Sequence, residues 1–143
     1  MKAALIAALA VIALPVIALP VAAFAGDAAL GETLFKKCKS CHSILAPDGT
    51  AVQKGGKVGP NLYGVIGRPV ASFPEFRYGD SILAVGASGL VWDEALLAAY
   101  VADPGAWLQE MTGDAAAKSK MALKLAEGGA DVAAYLASVA AAP

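Results

Sequence analysis

Cys38-Lys39-Ser40-Cys41-His42 is the stretch that decides how the chain is read. Two cysteines separated by two residues, with histidine directly after the second, form the pattern of a covalent haem attachment site. The spacing has a chemical reason. Two thiols this close can add to the two vinyl groups on one edge of a porphyrin, and the short loop between them aims the next side chain at the iron. His42 is then the proximal ligand through an imidazole nitrogen. The motif uses the chain's single histidine and both of its cysteines. A redox-active dithiol has the same cysteine spacing, but it sits between a strand and a helix in a βαβ pattern absent here. A zinc site needs four protein ligands, and no second Cys or His pair exists to complete one.

At 143 residues there is room for one domain. The 58% hydrophobic content suggests a membrane protein until the first 25 residues are set apart. Met1-Lys2 is a minimal positive start, residues 3–22 are apolar throughout, and Ala23-Phe24-Ala25 fits a small-x-small cleavage pattern. Residues 1–25 therefore read as a cleaved secretory signal peptide, and residues 26–143 as the mature domain. An uncleaved anchor is the alternative, since the run is about long enough to span a bilayer, but Pro15 and Pro20 interrupt it. Export agrees with the cysteine motif, because an oxidising compartment outside the cytoplasmic membrane is where such thiols are handled. In a bacterium that compartment is the periplasm.

The mature span keeps ten of the eleven Lys/Arg residues and all twelve acidic ones, a formal charge of −2 (10 − 12). No basic stripe points to nucleic acid. Lysines are instead clustered: Lys36, Lys37 and Lys39 flank the cysteines, Lys54 and Lys57 follow, and Lys118, Lys120 and Lys124 bracket Met121. Each cluster alone is as well explained by a solvated face. Converging in space, they would form a docking patch that steers acidic partners.

The remaining pattern is helical. Asp27 can cap a first helix carrying Leu30, Leu34 and Phe35 inward up to the motif. Gly31 lies inside it, where glycine costs stability, so a close packing contact is expected there. Residues 46–50 and 54–57 are rich in turn formers. Residues 59–69 fit neither a helical nor a strand period, and read as a surface loop or as backbone passing close to something flat and bulky. Residues 81–85 can form a short helix. Asp93 can cap another that holds Leu96, Leu97, Tyr100 and Val101 and ends at Asp103-Pro104. A further helix over 105–111 turns Trp107 and Leu108 inward. A last one over 131–140, with Asp131 as N-cap, places Val132, Tyr135, Leu136 and Val139 on one face. No strand pairs are expected, so the fold class is all-α.

A haem with one histidine leaves its other axial position to methionine, lysine, water or nothing. Met1 goes with the leader. Met111 falls at the end of a helix, where methionine usually fills gaps in a core. Met121 falls in an irregular stretch able to approach the face opposite His42. A thioether stabilises ferrous iron and raises the reduction potential.

Residues 26–143 resemble a class I c-type cytochrome of the bacterial cytochrome c2 group, relatives of mitochondrial cytochrome c. The likeness rests on Cys38-x-x-Cys41-His42, Gly59-Pro60-Asn61-Leu62, Gly67-Arg68, Tyr78, Trp92, Tyr100, Asp103-Pro104, Lys120-Met121 and Ala134-Tyr135-Leu136. It implies the compact cytochrome c fold, four to five helices around one haem c held through Cys38 and Cys41. It implies His42 and Met121 as the iron ligands. It also implies a Pro60 carbonyl accepting from the free ring nitrogen of His42, which fixes ligand orientation. Arg68, Tyr78 and Trp92 would hydrogen-bond a buried haem propionate, and Tyr100 would donate to the Met121 sulfur or a nearby water. From the residues alone, the aromatics read as core packing. The first and last helices would cross near Gly31 and Tyr135. Residues 46–58 and 112–117 are longer than in the mitochondrial-like members.

The implied function is that of a monomeric, periplasmic electron carrier without a turnover site. It would take electrons from a cytochrome bc complex and pass them to a photosynthetic reaction centre or a cytochrome c oxidase. Transfer would go through a lysine-ringed haem edge. A haem enzyme with Met121 displaced, or a cytochrome tethered by its leader, are the competing readings.

Overall fold

Asp27 starts the first helix as its side chain predicts: the carboxylate accepts from the backbone N–H groups of Ala29 and Leu30. In the computed structural model, which describes residues 25–141, helix α1 spans Ala28–Leu34. It tightens into a 3-10 turn, Phe35–Lys37, that delivers Cys38. The expected leader lies outside the described residues except for Ala25. Phe35 is fully buried, whereas Leu30, expected inward, is 48% exposed. The contact face is set by Gly31 and Phe35, four residues apart and on one side of the helix. Leu30, about 100° round from Gly31, faces out.

That face packs on helix α5 (Gly129–Ala141), which buries Val132, Ala133, Tyr135 and Leu136. A Cβ at position 31 would lie 1.9 Å from the Asp131 carbonyl oxygen and 2.8 Å from the Tyr135 Cβ. The expected close contact is therefore backbone against backbone. Beside it, the Phe35 and Tyr135 rings sit 5.8 Å apart. Asp131 is not the N-cap of α5. The helix begins two residues earlier, after Gly128 turns the chain at φ +80°. The Asp131 carboxylate instead accepts from the Asp27 backbone N–H at 2.8 Å, tying the start of α1 to the first turn of α5.

Three shorter helices complete the frame: α2 (Asp80–Gly86), α3 (Glu94–Ala102) and α4 (Pro104–Thr112). Asp93 caps α3 through the Leu96 N–H, and Asp103 caps α4 through the Ala106 N–H. Pro104 in the first turn of α4 needs no hydrogen-bond partner there. Between α3 and α4, Trp92, Tyr100 and Trp107 form a triangle of rings with centroids 5.3–5.4 Å apart.

One element was not expected. Strands β1 (Ile44–Leu45) and β2 (Ala51–Gln53) form an antiparallel hairpin, with an irregularity between the Ile44–Gln53 and Leu45–Ala51 pairs. Its tip is the predicted turn: Asp48 Oδ1 accepts from Thr50 N, and Gly49 takes φ +86°. Strands of two and three residues are too short for a period of two to register. The hairpin leaves the class unchanged: among the described residues five helices surround one core, all-α. Among the described residues no helix is long and apolar enough to cross a membrane.

Candidate haem cavity

The helices leave one large cleft among the described residues, with a volume of about 380 Å³. That falls in the range of roughly 300–1,000 Å³ usual for cofactor sites. Cys38, Cys41, His42, Pro60, Arg68, Tyr78, Trp92, Tyr100 and Met121 all line it. The residues singled out in the sequence thus converge on one cavity. Met111 does not line it, and is 40% exposed on α4.

The motif loop is held by its own backbone: Cys41 N and His42 N both donate to the Cys38 carbonyl, at 3.1 and 2.9 Å. Cys38 is half-buried and Cys41 exposed. Burial pushes the Cys38 thiol pKa up, Cys41 beside it adds to this, and Lys37 opposes it. His42 donates through Nδ1 to the Pro60 carbonyl oxygen at 2.8 Å, which leaves the Nε2 lone pair free. Burial lowers its pKa, partly countered by that hydrogen bond, so the ring is held neutral, the form in which imidazole binds a metal.

The glycine-rich segment has a definite purpose here. A Cβ on Gly59 would lie 2.2 Å from Cε1 and 2.6 Å from Nδ1 of His42. What the backbone approaches closely is the imidazole. Gly55 and Gly56 run as tightly against the motif's carbonyls, where a Cβ would meet His42 O at 1.9 Å and Ser40 O at 2.3 Å.

Arg68 stands in the cavity wall with Nη2 donating to the Asn61 carbonyl at 3.0 Å and Nη1 to the Tyr63 carbonyl at 3.3 Å. Its guanidinium also lies 5.3 Å from the Phe73 ring centroid. Among the described residues the one ion pair is Lys124–Asp103, so the half-buried Arg68 cation has no carboxylate partner. Burial lowers its pKa, but a guanidinium remains charged. Trp92 is laced to it through the backbone, with Trp92 N donating to Arg68 O at 3.0 Å and Gly67 N to Trp92 O at 2.8 Å. The Tyr78 hydroxyl accepts from Phe73 N at 3.2 Å and keeps its own proton to donate. Burial raises the Tyr78 pKa.

Tyr100 was expected to donate to the Met121 sulfur or a nearby water. Its hydroxyl pairs with Ser119 Oγ at 3.4 Å, and that oxygen accepts from Met121 N at 3.0 Å. Burial raises the Tyr100 pKa, and the Ser119 bond opposes the rise. Ser119 was missed in the sequence. Ser119 belongs to no motif or period. Lys120, read as part of a lysine cluster and of the family pattern, has a further role, its ammonium donating to the carbonyls of Arg77 and Tyr78 at 3.2 and 3.3 Å. Lys37 from one lysine cluster and Lys118 and Lys120 from another line the same cavity.

An apolar cleft with two thiols, a neutral imidazole presenting one nitrogen, and an unpaired cation in its wall fits a flat apolar group with anionic edges and a metal centre. That arrangement inside five helices defines a c-type cytochrome of class I. No family model matches the chain. Curated relatives do. Cytochrome c2 of Rhodobacter capsulatus is 65% identical over 116 residues, covering 81% of this chain and 85% of the relative. Cytochrome c-550 of Paracoccus pantotrophus is 60% identical over 114 residues, covering 78% and 85%. The solved structure of the R. capsulatus cytochrome c2 superposes with a TM-score of 0.78 at 64% identity, covering 80% of this chain and 98% of that one. The chain belongs to the cytochrome c2 group of the class I c-type cytochromes, and is an electron carrier bearing a covalent haem c.

Proposed function

We propose that this protein is a periplasmic one-electron shuttle with a His42/Met121-ligated haem c, running from a cytochrome bc complex to a photosynthetic reaction centre or a cytochrome c oxidase. The observation that carries the ligation is that Met121 lines the cavity floored by Cys38, Cys41 and His42, whereas Met111 stands outside it. Bound there, haem c supplies a ferric/ferrous couple, whose potential a thioether ligand raises.

The chain's own residues do the rest. Cys38 and Cys41 hold the group by thioether bonds. Pro60 fixes the tautomer and direction of the His42 ring. Arg68, Tyr78 and Trp92 surround the place a propionate would take, and the unpaired guanidinium offsets the cost of burying that charge. Tyr100, through Ser119, restrains the Met121 segment. With His42 and Met121 both holding the iron, the group would be closed to a substrate and would supply only electron transfer.

Lys37 and Lys118 at the cavity, with the neighbouring exposed Lys36 and Lys57, provide the positive rim that steers an acidic partner surface. Lys124 contributes less, because Asp103 neutralises it at 2.7 Å. Residues 1–25 act as the cleaved export signal, and residues 26–143 as the monomeric mature domain.

The test is an optical spectrum of the oxidised protein beside Met121→Ala and Met111→Ala. Methionine sulfur on ferric haem gives a weak long-wavelength band. The band is expected in the wild type and in Met111→Ala, and absent in Met121→Ala. A wild type without it that binds cyanide readily would mean an open sixth site and sink the closed-carrier reading.

A further inference from the structure

Pro60 has no N–H of its own with which to anchor itself, yet its carbonyl must hold the His42 ring in one direction. On the N-terminal side it is held by Gly59 N, which donates to the Cys41 carbonyl at 2.8 Å. On the C-terminal side the anchor is a side chain. Asn61 Oδ1 accepts from Leu45 N at 2.9 Å and from Tyr63 N at 3.1 Å, while Asn61 Nδ2 donates to the Leu45 carbonyl at 2.8 Å. The two bonds to Leu45 fix which amide atom is which, since a backbone N–H only donates and a carbonyl only accepts. Asn61 thus pairs with Leu45 as a peptide group of a third strand would, on β1.

The consequence reaches both sides of the cavity. Pro60 O accepts from the imidazole, and the next carbonyl, Asn61 O, accepts from Arg68 Nη2 at 3.0 Å. Two successive carbonyls therefore position the proximal ring and the wall cation, and one carboxamide ties both to the hairpin. β2 is held in turn by Gln53 Nε2, which donates to the Tyr135 hydroxyl on α5 at 3.1 Å.

We propose that Asn61 is a positioning residue for electron transfer: by anchoring Pro60-Asn61 to Leu45 it fixes the His42 hydrogen bond, and through it the basicity of the ring toward iron. The proposal rests on His42 as the proximal ligand. A firm Nδ1–H···O bond makes the imidazole more electron-donating, which favours ferric iron. Loosening it favours ferrous iron, and the reduction potential rises.

The experiment uses holoprotein carrying Asn61→Ala, with Asn61→Asp as the second variant should the first fail to fold. The aspartate keeps both acceptor bonds and loses the donor to Leu45 O. Two readouts are taken: the midpoint potential, and the solvent exchange of the His42 Nδ1 proton by NMR. For Asn61→Ala, exchange is expected to speed up about tenfold, the lower end of what outer hydrogen-bond partners of metal ligands contribute. The ferrous-to-ferric preference should rise about threefold, or about 30 mV upward at 59 mV per tenfold. Asn61→Asp should speed exchange by less, while its added negative charge, which favours ferric iron, offsets the rise in midpoint. Lower thermal stability with unchanged exchange and midpoint would reduce Asn61 to a structural residue and overturn the proposal. A wild-type ferric protein whose His42 ring resonances show no paramagnetic shift would overturn the ligation reading itself, and the Asn61 role with it.

Discussion

Gly31→Ala sets two known effects against each other, and the structure decides between them. On an open helix surface, exchanging glycine for alanine stabilises by about 1 kcal/mol, because the chain loses less entropy on folding. Position 31 is buried where α1 crosses α5, and an added Cβ would lie 1.9 Å from the Asp131 carbonyl oxygen and 2.5 Å from its carbon. Those are backbone atoms of a helix, so no side chain can swing aside. The helices must separate by more than 1 Å, which loosens the Phe35–Tyr135 contact and stretches the 2.8 Å bond from Asp27 N to Asp131. Overpacking of this kind costs about 3 kcal/mol or somewhat more, which leaves a net loss of about 2 kcal/mol after the propensity gain. For a domain of this size that is a fall in Tm of about 8 °C. The assay is thermal unfolding of the holoprotein by circular dichroism, with Ala29→Gly as the reference. Ala29 is exposed on the same helix, and glycine there should cost about 1 kcal/mol through propensity alone. An unchanged or raised Tm for Gly31→Ala would refute the claim that the glycine is there for backbone contact.

Gly59→Ala should collide with the His42 ring, breaking its bond to Pro60 O or lifting the loop, so the haem-to-protein absorbance ratio of purified material should fall at least severalfold; full loading would mean the loop yields freely. Among the described residues, 118–124 take part in no backbone–backbone hydrogen bond, and Lys120 ties this strap to residues 77 and 78. Lys120→Met should therefore speed amide hydrogen exchange across the strap about tenfold, with Lys120→Arg close to wild type; equal exchange in all three would assign the anchoring to buried Ala117 and Leu125 alone. The Lys124 ammonium, and then the Ala106 N–H, hold the Asp103 carboxyl below its usual range. A carboxyl whose pKa is depressed in the folded state stabilises above its unfolded value of about 4, and that contribution is lost as pH falls through the lower folded value. Lys124→Met should move the Asp103 titration upward in NMR, and an unmoved titration would assign the shift to the helix cap.

How much of this was legible depended on whether a constraint lay within a few consecutive residues. The haem motif, the Asp27 and Asp93 caps and the Asp48-Gly49 turn are local chemistry, and each appears where its sequence puts it. Gly31 was legible as a cost without a visible return, since glycine inside a helix implies a neighbour that cannot be named from the sequence. Leu30 was misread because hydrophobicity alone cannot say which side of a seven-residue helix faces in. Asp131 was misread because Gly128 allows the helix to begin earlier. The roles of Ser119, Lys120 and Gln53 were hidden for a different reason: their partners are 19 to 82 residues away.

The cavity explains why such partners matter. Its frame is helical, but His42, Pro60, Arg68, Tyr78 and Met121 all stand on backbone outside the helices. Buried irregular backbone must still satisfy its N–H and C=O groups. Here side chains do it: Asn61 for Leu45, Arg68 for the carbonyls of 61 and 63, Ser81 for Lys118 N, and Lys120 for the carbonyls of 77 and 78. Each bond joins two segments that no regular element connects, so removing one should shift a site residue more than it unfolds the domain. That is why positioning effects are expected to show in potential and exchange before they show in Tm.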